Sequence, residues 1–165
     1  MTPRELEQLY DQVIGYVREH GHVAMQIEDP DGYEPDFTYS IGFPVSVDHP
    51  EVIVFGLPTE LREHMIHALY AMMSQEGLKL ADGMRVGGLL GGFDCVAREV
   101  IDPDAIAEHF CTAIGYHESQ HGKTIDRAFQ IVWPSAENGL FPWDDGCAEG
   151  VIDNQPALYP TSLNS

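Results

Sequence analysis

The segment His49–Pro58, HPEVIVFGLP, contains the most apolar run of the chain. Its residues 52 to 57 are apolar almost throughout, which is typical of a central strand covered on both faces. Pro58 and Thr59 follow at once and begin a helical pattern that Gly77 ends. The segment therefore predicts a buried strand, followed by a helix, at the centre of the fold.

Toward the amino terminus, the sequence predicts a helix and then a hairpin. Thr2 and Glu5 have the spacing of a capping box, and the apolar residues that follow keep a helical period up to Gly21. A strand pattern over 23–28 is separated by a proline- and glycine-containing turn from an alternating segment over 37–43. This alternation predicts a hairpin with one buried face.

Toward the carboxyl terminus, five glycines between Gly83 and Gly92 precede an extended run over 93–101, which predicts two strands joined by a tight connection. Asp102 and Pro103 then begin a third helix, and the last clear strand covers 127–133. Hairpins outnumber strand-helix-strand crossovers in this order of elements. We therefore predict an α+β fold with a largely antiparallel, strongly curved or barrel-like sheet of about six strands and three flanking helices.

Length and composition favour a single domain. The chain has 165 residues, of which 44% are hydrophobic, and this lies within the range of one folded domain. We predict one α+β domain over 1–147 and a polar tail or arm over 148–165. No apolar run approaches the roughly 20 residues of a membrane span, no secretory signal is visible, and the three cysteines form no CxxC pair. These features favour a cytoplasmic protein.

The net charge is −19, from 27 acidic and 8 basic residues. This charge repels polyanions, so we expect neither nucleic acid nor an anionic membrane surface as a partner. Two interpretations remain. The acidic surface keeps the protein soluble, or it also docks a basic protein partner.

Two tryptophans lie beside prolines in residues 128–144, AFQIVWPSAENGLFPWD. We define the aromatic corner as Trp133, Phe141 and Trp143. It either covers an open end of the sheet or stacks a ring of a ligand or partner. If it lines a pocket, we expect Tyr39 and His49 as its neighbours.

Histidines are the other candidates for chemistry. His117 and His121 are four residues apart, so on one helix they would share a face, and they are weak candidates for metal ligands. His49 comes before the apolar strand and is either an acid-base group or a cap. The chain contains no nucleophile elbow, phosphate-binding loop or dinucleotide fingerprint. The sequence therefore assigns no catalytic residue and no cofactor.

Several segments together resemble a family of small bacterial proteins catalogued as domain of unknown function 4262. These segments are FTYSIGF (37–43), HPEVIVFGLP (49–58), the glycines over 87–92, QIVWP (130–134) and FPWD (141–144). The resemblance covers roughly residues 20–147. It implies a compact domain of bacterial origin and carries over no catalytic residue.

Three hypotheses for the function follow from these patterns. The first is a non-enzymatic binding or interaction module that uses the aromatic corner and the acidic surface, because no nucleophile, base and orienting group can be assembled from the motifs. The second is a protein or enzyme that binds a small aromatic, flavin-like ligand in a barrel pocket. The third is a metal-dependent enzyme that uses His117, His121 and a carboxylate such as Glu118. A homodimer is left open.

Overall fold

The structure is a computed structural model of the chain and describes residues 1–161. The predicted tail over 148–165 therefore lies partly outside the described residues, since these end at Thr161. In chain order the elements are α1 (Pro3–His20), β1 (Val23–Ile27), β2 (Phe37–Ile41), α2 (Phe43–Ser46), β3 (Glu51–Phe55), α3 (Thr59–Glu76), β4 (Arg85–Leu90), β5 (Phe93–Val100), α4 (Pro103–His109), α5 (Cys111–His121), β6 (Ala128–Val132) and α6 (Glu149–Asp153).

The six strands form one sheet in the order β1-β2-β3-β6-β5-β4. The two central strands, β3 and β6, are parallel, whereas the other neighbours in the sheet are antiparallel. Strands β1 and β4 lie at opposite ends of this order and do not pair with each other. The sheet is therefore mixed and open.

This topology confirms the α+β class and the number of strands, but the prediction of a largely antiparallel, strongly curved or barrel-like sheet is wrong. After β3 the chain passes through α3, β4, β5, α4 and α5 before it returns as β6, and such a long crossover permits a parallel neighbour. The number of hairpins in the sequence does not indicate where β6 joins the sheet after this crossover. The prediction of three flanking helices is also wrong, because the third helix is divided at Phe110 and two short helices are added.

Helices cover both faces of the sheet. Alternate residues of β3 point to opposite sides: Val52 and Val54 pack with α3, whereas Ile53 and Phe55 pack with α1, α4 and α5. Every residue of β3 is buried, which confirms the central strand predicted from its sequence. The central strands can therefore hold a charged residue only at their ends, where polar groups are within reach.

The first helix shows that local sequence signals determine its ends. The side chain of Thr2 accepts a hydrogen bond from the N–H of Glu5, and the carboxylate of Glu5 accepts one from the N–H of Thr2. Gly21 ends the helix with a φ of 87°, in the left-handed region that glycine adopts without strain. Both predicted ends are confirmed. In residues 1–161, no helix combines the length and the apolar character required to cross a membrane.

Candidate functional site

A basin of about 540 Å³ opens where the amino ends of β3 and β6 meet the carboxyl end of α5. This volume lies within the range of small-molecule sites. Residues 44–50, which comprise most of α2 and the loop after it, and loop residues 123–127 form much of the wall. The residues that line the basin are Pro44, Val45, Asp48, His49, Pro50, Glu51, His117, His121, Lys123, Thr124, Ile125, Asp126 and Arg127.

The carboxylate of Glu51, the first residue of β3, is completely buried and accepts four hydrogen bonds. Its Oε1 accepts from the hydroxyl of Ser40 at 2.7 Å and from the N–H of Phe43 at 3.1 Å. Its Oε2 accepts from the N–H of Gly42 at 2.7 Å and from Nε2 of His117 at 2.8 Å. A buried carboxylate is stable only with such partners, and here both oxygens have two.

These contacts assign the tautomer of a neutral His117. The N–H of Val52 donates to Oγ of Ser40 at 2.9 Å, so the hydroxyl proton of Ser40 is directed to Glu51. Because the carboxylate accepts on both oxygens, Nε2 of His117 is the donor of its own bond, and the lone pair of a neutral ring is then on Nδ1. Within residues 1–161, Nδ1 of His117 has no hydrogen-bond partner. This nitrogen is not closed off from solvent.

Local backbone geometry explains why Glu51 finds its donors. Gly42 has a φ of 115°, and a Cβ atom there would lie 2.7 Å from the carbonyl oxygen of Gly21. Only glycine fits this position, because both the left-handed conformation and the close approach exclude a side chain. The turn directs the N–H groups of Gly42 and Phe43 at the carboxylate.

The rim of the basin carries charges of both signs. His121 lies one helical turn after His117, and the centroids of the two rings are 6.2 Å apart. Lys123 and Arg127 contribute positive charge, and Asp48 and Asp126 contribute negative charge. Such a rim can orient the polar groups of a small molecule.

His49 lines the basin, but both of its ring nitrogens are already bonded. Nδ1 lies 2.7 Å from the carbonyl oxygen of Pro50, and Nε2 accepts a hydrogen bond from the N–H of Leu80 at 3.0 Å. Burial lowers the pKa of this histidine below its usual value. In this arrangement His49 ties the loop before β3 to the loop after α3.

The aromatic corner lies away from the basin. Trp133 is largely buried, and its indole N–H donates to the carbonyl of Phe55 at 2.7 Å. Phe141 is buried and its ring is parallel to that of Trp143, with the centroids 5.2 Å apart. Trp143 is 40% exposed. Of the three rings, only that of Trp143 offers a substantial exposed surface.

A second pocket, the Trp143 groove, has a volume of about 570 Å³. We define it by its lining residues, which are Arg98, Pro142, Trp143, Ile152, Asp153, Gln155, Pro156, Ala157, Tyr159, Pro160 and Thr161. The guanidinium of Arg98 lies 5.1 Å from the ring centre of Trp143 and 4.4 Å from that of Tyr159. The segment after residue 147 thus forms a pocket together with Trp143 of the aromatic corner.

The structure does not gather the sequence candidates into one pocket. Trp143 lines the groove and Phe141 is buried and stacked on it, whereas His49, His117 and His121 line the basin. Tyr39 lines neither pocket; it is buried against α5, where its hydroxyl accepts a hydrogen bond from the N–H of Thr112 at 3.0 Å.

The two weak metal candidates are both in α5, and His117 is already bonded to Glu51. Over residues 1–161, no three His, Cys, Asp or Glu side chains are grouped so that they could hold a metal ion.

Sequence reasoning missed Glu51 and Ser40. One signal was present, because Glu51 is the only acidic residue in the apolar segment HPEVIVFGLP. It also missed Arg62, which is 1% exposed and donates from Nη1 to the carbonyl of Leu57 at 2.6 Å. Arg62 lies on a helical pattern among polar residues, so nothing in its spacing marks it as buried.

Comparison with known proteins identifies the family of the chain. Residues 16–148 match the family described as Domain of unknown function (DUF4262), which confirms the resemblance seen in the sequence. No curated protein and no solved structure matches the chain. Since the match covers most of the sequence, the chain belongs to this family.

Proposed function

We propose that this member of the DUF4262 family is an enzyme that binds a small polar molecule in the basin and uses His117 as its general acid-base group. The observation that supports the proposal is the hydrogen bond of 2.8 Å between Nε2 of His117 and the buried carboxylate of Glu51, on the wall of a pocket. A histidine whose far nitrogen is held by a carboxylate is a common arrangement for general base catalysis.

In the proposed mechanism, Glu51 is a positioning residue. It holds the proton of His117 on Nε2, which leaves Nδ1 to accept a proton from a substrate or from water. The resulting imidazolium would form an ion pair with Glu51 at the same distance. His117 then returns the proton to a leaving group or to another atom of the substrate, so no net proton is consumed by the residue.

The charged rim of the basin supports a small polar molecule as the ligand. Lys123 and Arg127 can orient a negatively charged or hydrogen-bond-accepting group, and Asp48 and Asp126 can orient a donor. Arg127 is already bonded to Glu99, so Lys123 is the better placed cation for a ligand.

The proposal is tested with a library of small polar metabolites, incubated with the full chain and followed by ligand-observed NMR. Line broadening reports binding, and new signals over time report turnover. We expect at least one compound to be bound and converted by the wild type. Glu51→Gln and His117→Gln should lose turnover of that compound, whereas His64→Gln on the exposed face of α3 should retain it.

A structural role for the pair gives a different result. If Glu51→Gln and His117→Gln are folded and turn over the same compounds as the wild type, the proposal is overturned. It is also overturned if no compound in the library is converted and diethylpyrocarbonate modifies His64 but not His117, because His117 would then be closed to small molecules.

A second candidate is the interaction module predicted from the sequence, in which the aromatic corner and the acidic surface contact a basic protein. The exposure of Trp143 at a groove favours it.

Five other points stay predictions: the flavin-like aromatic ligand, the metal-dependent chemistry, the homodimer, the bacterial origin and the cytoplasmic location. A colourless protein without organic cofactor or metal by native mass spectrometry would count against the flavin and metal hypotheses.

A further inference from the structure

The Trp143 groove brings several exposed apolar groups together. Trp143 and Ile152, each 40% exposed, are two of the large hydrophobic residues that residues 1–161 leave exposed, and both line this groove. Apolar groups also come from three prolines and an alanine, at positions 142, 156, 157 and 160. A local concentration of exposed apolar surface is characteristic of a binding site for another molecule.

Hydrogen bonds hold the far wall of the groove in place. The side chain of Gln155 both accepts from the N–H and donates to the carbonyl of Trp133, each at 2.9 Å. The side chain of Gln130 donates to the carbonyl of Pro156 at 2.9 Å and accepts from the N–H of Leu158 at 3.0 Å. These bonds and the prolines fix the wall before a ligand arrives. Binding would therefore cost little conformational entropy of the groove.

Acidic residues predominate in the segment that forms most of the groove. Residues 128–161 contain five acidic residues and no lysine, arginine or histidine; the five are Glu137, Asp144, Asp145, Glu149 and Asp153. Arg98 is the one cation of the lining, but its side chain is only 16% exposed and its Nε donates to Asp82 at 3.0 Å. Asp153 is the acidic residue of the lining, and the net charge of −19 makes the protein as a whole attract a cationic ligand rather than an anionic one.

We propose that the Trp143 groove binds a peptide segment of another protein in which a bulky apolar side chain is adjacent to lysine or arginine. The apolar side chain would pack between Trp143 and Ile152, and the cation would face Asp153 at the edge of the groove. Charge complementarity selects this occupant over an acidic peptide, and it also excludes nucleic acid.

A random-peptide phage library selected on the full-length protein, at about 150 mM salt to screen weak charge contacts, tests the proposal. Enriched peptides are then measured by fluorescence polarisation against the wild type and variants. We expect the enriched sequences to pair Trp, Phe or Leu with Lys or Arg. Trp143→Ser and Ile152→Ser should each weaken binding by about tenfold or more, the effect of losing a central apolar contact.

Matched controls separate this groove from general attraction to an acidic protein and from the basin. Tyr33→Ser removes an exposed aromatic ring outside the groove, and Val45→Ser removes an exposed apolar side chain from the wall of the basin; both should bind the peptides as the wild type does. The proposal is overturned if no such sequence is enriched. It is also overturned if folded Trp143→Ser and Ile152→Ser bind as well as Tyr33→Ser, which would leave only non-specific attraction by charge.

Discussion

Two histidines of this chain are buried to a similar degree, but their ring nitrogens meet different partners. Nε2 of His117 is bonded to the carboxylate of Glu51 at 2.8 Å, whereas Nε2 of His22 lies 2.7 Å from Nδ1 of His67. A proton added to His117 would be next to a negative charge. A proton added to His22 would be next to a second imidazole, which can itself become positive.

The difference shows that the partner, and not burial alone, decides what a buried histidine can do. Burial and the charge of His67 lower the pKa of His22 to about 4. The ring of His22 is also stacked on that of Tyr70, with the centroids 4.0 Å apart, and its buried Nδ1 has no hydrogen-bond partner among residues 1–161. The His22 region therefore packs as a neutral aromatic group, while the His117 region is built around a charge.

The largest effect is expected where that charge is removed. Glu51→Ala leaves the donors of Ser40, Gly42, Phe43 and His117 without their acceptor in a buried site, and we expect a loss of roughly 3–5 kcal/mol in the free energy of unfolding. Urea unfolding followed by circular dichroism measures this loss. A loss below about 1 kcal/mol would mean that water replaces the carboxylate and that the site is not closed.

A double-mutant cycle isolates the bond itself. Glu51→Gln and His117→Gln, alone and together, should show a coupling of about 1–3 kcal/mol, since the two groups are in direct buried contact. The same cycle on Glu63 and His67, whose side chains are half exposed and 3.5 Å apart, should give no more than about 0.5 kcal/mol. Equal couplings in the two cycles would remove the distinction between the regions.

Local signals in the sequence were enough for much of the fold. The capping box at Thr2 and Glu5, the glycine after α1 and the apolar run of β3 each act within a few residues, so they could be interpreted without knowledge of the tertiary structure. The parallel pairing of β3 with β6 could not, because it depends on where a long crossover returns.

The candidate site depends on contacts that are distant in sequence. Glu51 and His117 are separated by 66 positions, and His22 and His67 by 45. The sequence predicted that the apolar strand is buried, but it predicted neither the buried charge at the start of the strand nor the residues that bond to it. His49 is the opposite case, because the sequence did select it as a candidate. In the structure both of its ring nitrogens are already hydrogen-bonded, to the backbone of Pro50 and of Leu80.

Acid should destabilise the protein through His22. The folded-state pKa of about 4 lies below the unfolded value of 6.5, so the unfolded chain binds the proton more readily, and stability falls as the pH decreases from about 6.5 to about 4. After allowance for partial screening by solvent, this loss should be about 2 kcal/mol. His22→Phe retains the stacking on Tyr70 and should lose this part of the pH dependence.

Unfolding free energies of the wild type and the variant over this pH range measure the effect. Other groups also titrate in acid, so the difference between the two proteins is the relevant quantity. His64→Gln, which removes an exposed histidine of α3, should follow the wild type. Parallel curves for the wild type and His22→Phe would show that His22 does not titrate differently in the folded and unfolded states.

The smallest effect is expected at His67, and it separates the two causes of the low pKa of His22. His67→Ala removes a half-exposed ring with one hydrogen bond to His22, so it should cost no more than about 1 kcal/mol in unfolding free energy. Because the charge of His67 is the second cause after burial, the NMR titration midpoint of His22 should rise from about 4 but stay below 6.5. A midpoint that does not move would assign the low pKa to burial alone, and His22 would then differ from His117 by its surroundings rather than by its partner.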